Sequence, residues 1–189
     1  FTTSVREAVQ FGKIIFLCVG TPPRTNGESD LSAIEHVAKE IGAALTEYRL
    51  IVEKSTVPVQ TGAQLEQTIK DHLKKRVPFD VASNQEFLRE GSAIHDFFNP
   101  DRIVLGAESK RAEKLLTDLY KPLKAPLVVT DIRSAELIKH ASNSFLATKI
   151  SFINLISQVA GRVGADITKV AAGMGMDRRI GTTFLDAGI

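Results

Sequence analysis

From Lys13 to Gly20 the chain runs KIIFLCVG, an almost unbroken apolar stretch that stops at Gly-Thr-Pro-Pro. A strand without polar alternation must be covered on both faces, which is the environment of a parallel sheet in an α/β protein. This run constrains the fold most, because the following segments must then supply the covering helices. They do so in order. Asp30 precedes a helical stripe from Leu31 to about Glu47 carrying Ile34, Val37, Ala38, Ile41 and Leu45, and Leu50 to Val52 forms the next strand. A helix over Val59 to Leu73, a strand over Phe79 to Ser83 and a short helix over Glu86 to Glu90 continue the pattern. A strand over Arg102 to Gly106 and a helix over Ser109 to Leu119 complete it. The alternation predicts a helix-covered parallel sheet with right-handed crossovers.

From Ser134 the period changes. Ala135, Leu137, Ile138, Ala141, Phe145, Ile153, Ile156, Val159 and Val163 sustain a helical stripe with no proline, so one long helix is expected. A shorter helix over Ile167 to Ala172 and a Gly-Met-Gly-Met turn follow it. The fold class is thus α/β: the second half of a Rossmann-like doubly wound parallel sheet, then a long central helix and a small helical segment. The domain boundary is set at 1–130 and 131–189. No G-x-G-x-x-G motif is present, although a dinucleotide sheet usually opens on one, and both ends read as cuts in a longer chain.

With 24 Lys and Arg against 22 Asp and Glu, the formal charge is +2 and spread along the chain, so no nucleic-acid partner is implied. The one dense basic run, Lys74-Lys75-Arg76, reads as a solvated complement to the preceding helix dipole. No apolar run reaches the roughly 18 residues that span a bilayer, and no secretory leader pattern is seen, so a soluble cytoplasmic protein is expected. The four histidines lack ligand spacing, and no metal site is expected. Cys18, flanked by Phe16 and Leu17, reads as a buried structural thiol rather than a nucleophile.

Three segments carry residues suited to chemistry. Glu53-Lys54-Ser55-Thr56-Val57-Pro58 sits where the second strand ends and the next helix begins, where open α/β sheets bind ligands, although Ser55 and Thr56 are also ordinary helix caps. Ser83-Asn84-Gln85-Glu86 fits a capping box, but capping leaves Glu90 unexplained, one helical turn beyond Glu86. Lys139 and Asn143 stand four apart on the long helix and share a face; they read as a solvated face or as donors to a developing oxyanion, and spacing alone favours the first.

These residues lie in longer segments: VGTPP, DLS, KSTVP, SNQEFLREG, PDRIVLG, TDIRSAELIKHASNSFLATKISFIN and GMGMDRRIG. In this order and at these spacings they resemble the UDP-glucose/GDP-mannose dehydrogenase family along nearly the whole chain, with the helix text from Phe145 to Asn154 most similar to the UDP-glucose branch. GDP-mannose and UDP-N-acetyl-hexosamine oxidation are the neighbouring alternatives, and a non-catalytic cofactor-domain or dimerisation module is a rival of another class. Gln85 stands where the family usually has Pro, Gln60 where Gly is usual and His140 where Tyr or Leu is common.

The resemblance implies NAD as cofactor, UDP-glucose as substrate and a homodimer through the long helix. It implies two hydride transfers through a cysteine thiohemiacetal and thioester, the cysteine lying in a later segment that these residues do not include. Residue by residue it implies catalytic roles for Thr56 (water), Glu86 (base), Lys139 and Asn143 (oxyanion donors). It implies cofactor contacts at Val19, Thr21, Pro22, Ser55, Thr56 and Glu90. Substrate contacts are implied at Glu86, Phe87, Leu88, Arg89, Glu90, Lys139, Asn143 and Arg179, the last reaching the substrate of the neighbouring subunit. Without the glycine loop and the later cysteine, the 189 residues alone are expected to be inactive.

Overall fold

The computed structural model describes residues 1–188, which fall into two compact units, residues 1–139 and the residues from 140 onward. The first is built on one five-stranded sheet, ordered β1-β2-β3-β4-β5, with β1 at Ile14–Leu17, β2 at Arg49–Glu53, β3 at Phe79–Ser83, β4 at Ile103–Ala107 and β5 at Leu127–Thr130. The helices between and around these strands are α1 (Val5–Phe11), α2 (Ser32–Ala44), α3 (Thr61–Asp71), α4 (Ala93–Phe98) and α5 (Lys110–Tyr120). A 32-residue helix, α6 (Ile132–Val163), begins in this unit and continues into the next.

The sheet is covered on both faces, and β2 shows how its sequence produces this. Ile51 points into a cluster with Ile34, Ala38 and Ile41 of α2 and Leu65 and Ile69 of α3, whereas Leu50 and Val52 face Ala112, Leu116 and Tyr120 of α5. Successive side chains point to opposite faces, so a strand with both faces covered must be apolar throughout. All five β2 residues are buried. In β1, by contrast, only Leu17 is buried and Ile14 to Phe16 are half-buried, because β1 is an edge strand. The apolar run that reads as doubly buried is therefore only partly so.

A second departure lies in the strand directions. β1, β2 and β3 are mutually parallel, as are β4 and β5, but β3 and β4 are antiparallel through Ala82 opposite Ala107 and Ser83 opposite Gly106. Residues 84–102, an irregular loop with the six-residue α4, join these two strands without the long covering helix of a parallel crossover. The chain re-enters from the end it left.

Residues 86–90 form no helix; they run as an irregular loop into a turn at Gly91 (φ +83°). α1 and β5 add elements that sequence periodicity leaves out, and α1 is held by Arg49, whose guanidinium donates to the carbonyls of Val9 (2.6 Å) and Gln10 (2.9 Å) near its C-terminus.

The second unit contains the rest of α6 and α7 (Ile167–Gly175), which runs through the expected Gly-Met-Gly turn as helix. Gly164 at φ +70° lets the chain leave α6 in the left-handed conformation, and Asp166 caps α7 by accepting from Thr168 N at 2.9 Å. The following segment is fastened by Asn154, which exchanges two hydrogen bonds with Gly188 at 3.1 and 2.8 Å. Ile153 and Ala160 are buried, whereas Phe145, Phe152, Leu155, Val159 and Val163 are exposed. The long apolar stripe is therefore covered on only part of its face.

Candidate functional site at the carboxyl ends of β1, β2 and β3

Because β1, β2 and β3 are parallel, the segments that leave their carboxyl ends emerge at one edge of the sheet. Their side chains fasten them to one another. The Ser55 hydroxyl donates to the Val19 carbonyl at 2.7 Å and Thr21 Oγ1 donates to the Thr56 carbonyl at 2.9 Å, joining the loops after β1 and β2. Lys54 Nζ donates to Asn84 Oδ1 at 3.2 Å, joining the loops after β2 and β3. Asn84 also donates to the Val104 carbonyl at 2.9 Å and accepts from Tyr120 O–H, so one buried amide ties three strands and α5 together. Burial raises the Tyr120 pKa to about 12, which keeps that phenol a donor.

Glu86 sits just beyond Asn84 and Gln85 with its carboxylate one-third exposed, accepting from Leu88 N and, at 3.1 Å, from Lys139 Nζ of α6. Lys139 is only 4% exposed. The solvated-face reading of Lys139 is thus overturned, since an ammonium so far from water needs the carboxylate as a partner. Phe87 carries two cations, Arg102 Cζ at 4.0 Å and Lys139 Nζ at 5.1 Å from its ring centroid, which fixes its ring beside Glu86.

Other expectations change with the loss of a helix at 86–90. Glu86 and Glu90 do not share a helical face, and Glu90 is exposed. Ser83 is no N-cap: it is buried in β3, its hydroxyl 3.5 Å from Glu53 Oε2. Arg89 forks onto Asp96 of α4 at 2.9 and 2.7 Å while its own N–H donates to the same carboxylate at 3.0 Å, and this holds Asp96 far below the usual carboxylate range. Leu88 and Thr56 are half-buried, as are Val19 and Thr21, and Pro22 is exposed.

In the second unit Asn143 is exposed on α6, and Arg179 forks onto Asp177 at 3.1 and 2.7 Å. Cys18 lies one residue beyond β1 and is exposed, not buried, because the strand ends at Leu17. Partial desolvation still raises its thiol pKa, against the pull of Lys54.

Two carboxylates complete the site: Glu53, in the segment singled out from the sequence but given no role there, and Glu136, which the sequence did not point to. Glu136 of α6 is fully buried and accepts from the backbone N–H of Gln60 and Gly62, both at 2.7 Å, so that it, and not Ser55 or Thr56, satisfies the first turn of α3. Glu53, the last residue of β2, is also fully buried; desolvation, then the Glu136 charge, raise its pKa to about 8. Burial lowers the pKa of Lys54 beside it, with Cys18, Glu86 and Glu53 opposing. The available signal was a charged pair, Glu53-Lys54, set directly after an apolar strand. Among the described residues no group of three or more His, Cys, Asp or Glu side chains is placed to hold a metal, and no helix is long and apolar enough to cross a membrane.

A mostly parallel, helix-covered sheet whose polar loops gather at the carboxyl ends of its strands defines a dinucleotide-binding domain of the dehydrogenase class. The chain belongs to the UDP-glucose/GDP-mannose dehydrogenase family: residues 1–124 match its NAD binding domain and residues 133–189 its central domain. It is 50% identical over 189 residues to UDP-glucose 6-dehydrogenase TuaD of Bacillus subtilis, covering all of this chain and 41% of that protein. A UDP-glucose dehydrogenase structure from Pyrobaculum islandicum superposes with a TM-score of 0.96 at 45% identity, over 100% of this chain and 44% of its own. A GDP-mannose dehydrogenase from Pseudomonas aeruginosa gives 0.90 at 37% identity, over 94% and 42%. The chain therefore spans less than half the length of the relatives it matches.

Proposed function

We propose that the protein carrying this chain oxidises UDP-glucose to UDP-glucuronate with NAD. Residues 1–130 are assigned to its cofactor domain and residues 131–189 to its helical dimerisation domain; the two compact units part later, at 139/140, inside α6. The observation that carries the reading is the Lys139–Glu86 contact, which brings a buried donor and a half-open carboxylate together at the sheet edge that also holds Thr56. The substrate assignment rests on 45 to 50% identity to the named UDP-glucose enzymes against 37% to the GDP-mannose enzyme.

The loop after β1 suits a dinucleotide: Ser55 and Thr21 spend their hydroxyls on the Val19 and Thr56 carbonyls, which sets the loop's shape, and exposed Pro22 leaves its outer surface apolar. Val19, Thr21, Pro22, Ser55, Thr56 and Glu90 would hold NAD, whose chemistry is to accept hydride. Lys139 donates to the substrate oxygen as negative charge forms, with Asn143 as the second donor, and fixed donors are most effective where water is excluded. Glu86, released from Lys139 as that donor turns to the substrate, would take a proton from the water held by Thr56 as the water oxygen bonds to the oxidised C6 carbon and the bond from that carbon to the cysteine sulfur of the later segment breaks. Phe87, Leu88, Arg89 and Arg179 contact the sugar nucleotide, and the latter two must first exchange their aspartate partners for it. The exposed apolar row of α6 supports a homodimer. Reduced Cys18 agrees with a cytoplasmic location.

Absorbance assays on the whole protein should give about two NADH per UDP-glucose and little with GDP-mannose; a preference for GDP-mannose overturns the substrate assignment. Lys139→Met should lower kcat about 10²–10³-fold with a much smaller change in UDP-glucose binding. Normal turnover in that variant removes Lys139 from the chemistry.

A further inference from the structure

Two buried side-chain oxygens in the described residues have no hydrogen-bond partner, Glu53 Oε1 and Gln85 Oε1. With Glu53 ionised both are acceptors, and buried acceptors without donors are costly. They belong to neighbours: Glu53 pairs with Ser83 across β2 and β3, Asn84 N donates to the Glu53 carbonyl at 2.9 Å, and Gln85 is the next residue. A single proton on Glu53 turns one acceptor into a donor and satisfies both atoms at once.

We propose that Glu53 is a neutral carboxylic acid whose O–H donates to Gln85 Oε1, and that this shared proton clasps the loop carrying Thr56 to the loop carrying Glu86. Glu53 immediately precedes Lys54-Ser55-Thr56, and Gln85 immediately precedes Glu86. Gln85 Nε2 reaches the Val57 carbonyl at 3.5 Å on the other side, so the amide spans both loops. Glu53 and Gln85 are positioning residues: they set where Glu86 and Thr56 stand and touch no substrate.

Burial, and then the Glu136 charge, favour the neutral form of Glu53 and outweigh the opposing pulls of Ser83, the Gln85 amide N–H and Lys54. Glu136 approaches from α6 as a carboxylate already holding two backbone N–H groups, so a second negative charge beside it is disfavoured. Ser83 on β3 supplies one long hydrogen bond at 3.5 Å. The other charged or titratable neighbours are Lys54, committed to Asn84, and Cys18 beyond β1. The catalytic importance of Glu86 rests on the function proposed above; the proton on Glu53 does not.

The test is a ¹³C-carboxyl titration of Glu53 in the full chain, assigned with Glu53→Gln, together with amide exchange of residues 86–88. The expected result is a protonated Glu53 at pH 7 and exchange at 86–88, corrected for intrinsic rate, that rises as Glu53 ionises. In Glu53→Gln, whose amide N–H replaces the O–H, that rise should be absent. Gln85→Leu decides the direction of the hydrogen bond. Removal of an acceptor should lower the Glu53 midpoint by about one pH unit, the worth of roughly one hydrogen bond. An unchanged or raised midpoint, an ionised Glu53 at pH 7, or exchange at 86–88 indifferent to Glu53 ionisation overturns the proposal. None of these measurements uses substrate, so a failure of the UDP-glucose assignment leaves them able to decide.

Discussion

Replacement of Glu136 by Ala removes a buried carboxylate that accepts two backbone N–H bonds of 2.7 Å at the first turn of α3. Hydrogen bonds to a charged group are each worth about 1.5–3 kcal/mol, and the loss strands two donors, of which Gly62 N lies in buried surroundings. Because Glu53 is the neutral member of the pair at pH 7, no charge repulsion is relieved to offset this. The loss should be about 3–6 kcal/mol, or roughly 6–24 °C in Tm for a chain of this size. Urea unfolding followed by far-ultraviolet circular dichroism at pH 7 measures it. Glu136→Gln should recover at most half, because the amide offers one acceptor where the carboxylate offers two and presents its own N–H to the other donor. A loss below about 1 kcal/mol for the alanine variant, or full rescue by glutamine, refutes the reasoning.

Folding raises the Glu53 pKa to about 8, so the stability this group contributes is fully present below its unfolded pKa of roughly 4.3 and is lost as pH rises through about 8. Glu53→Gln should flatten that decline, which is on the order of 5 kcal/mol at most, and should exceed the parent in stability at pH 9; an unaltered stability–pH curve contradicts this. A Cβ added at Gly106 would meet Ala135 Cβ at 2.6 Å and Ile132 Cα at 2.9 Å, so Gly106→Ala should cost about 1–3 kcal/mol in the same unfolding assay, with little loss pointing to a looser α6 contact. Exposed Cys18 should label with a thiol reagent in the native chain, more slowly than free cysteine because its pKa is raised, and Cys18→Ser should cost under about 0.5 kcal/mol; protection from labelling until unfolding contradicts the observed exposure.

The strand and helix alternation was legible because its signals are local. The doubly apolar β2, the stripe of α2 and the uninterrupted period of α6 each follow from residues a few positions apart. The family motifs were legible for the same reason, being contiguous text, and they drew attention to Thr56, Glu86 and Lys139. The helix expected at 86–90 failed on competing local chemistry: Glu86 turns back onto Leu88 N, and Arg89 closes onto Asp96. Tertiary structure alone decided the rest. Strand direction between β3 and β4 is not encoded in either strand's own residues, and β1 is half-exposed because of its place in the sheet and not its composition. The site itself is a matter of desolvation. Glu53 and Glu136 are ordinary surface-type residues in the sequence, and only the packing of α6 against the start of α3 and the end of β2 takes both from water, leaving one to hold two N–H groups as an anion and the other to hold a proton.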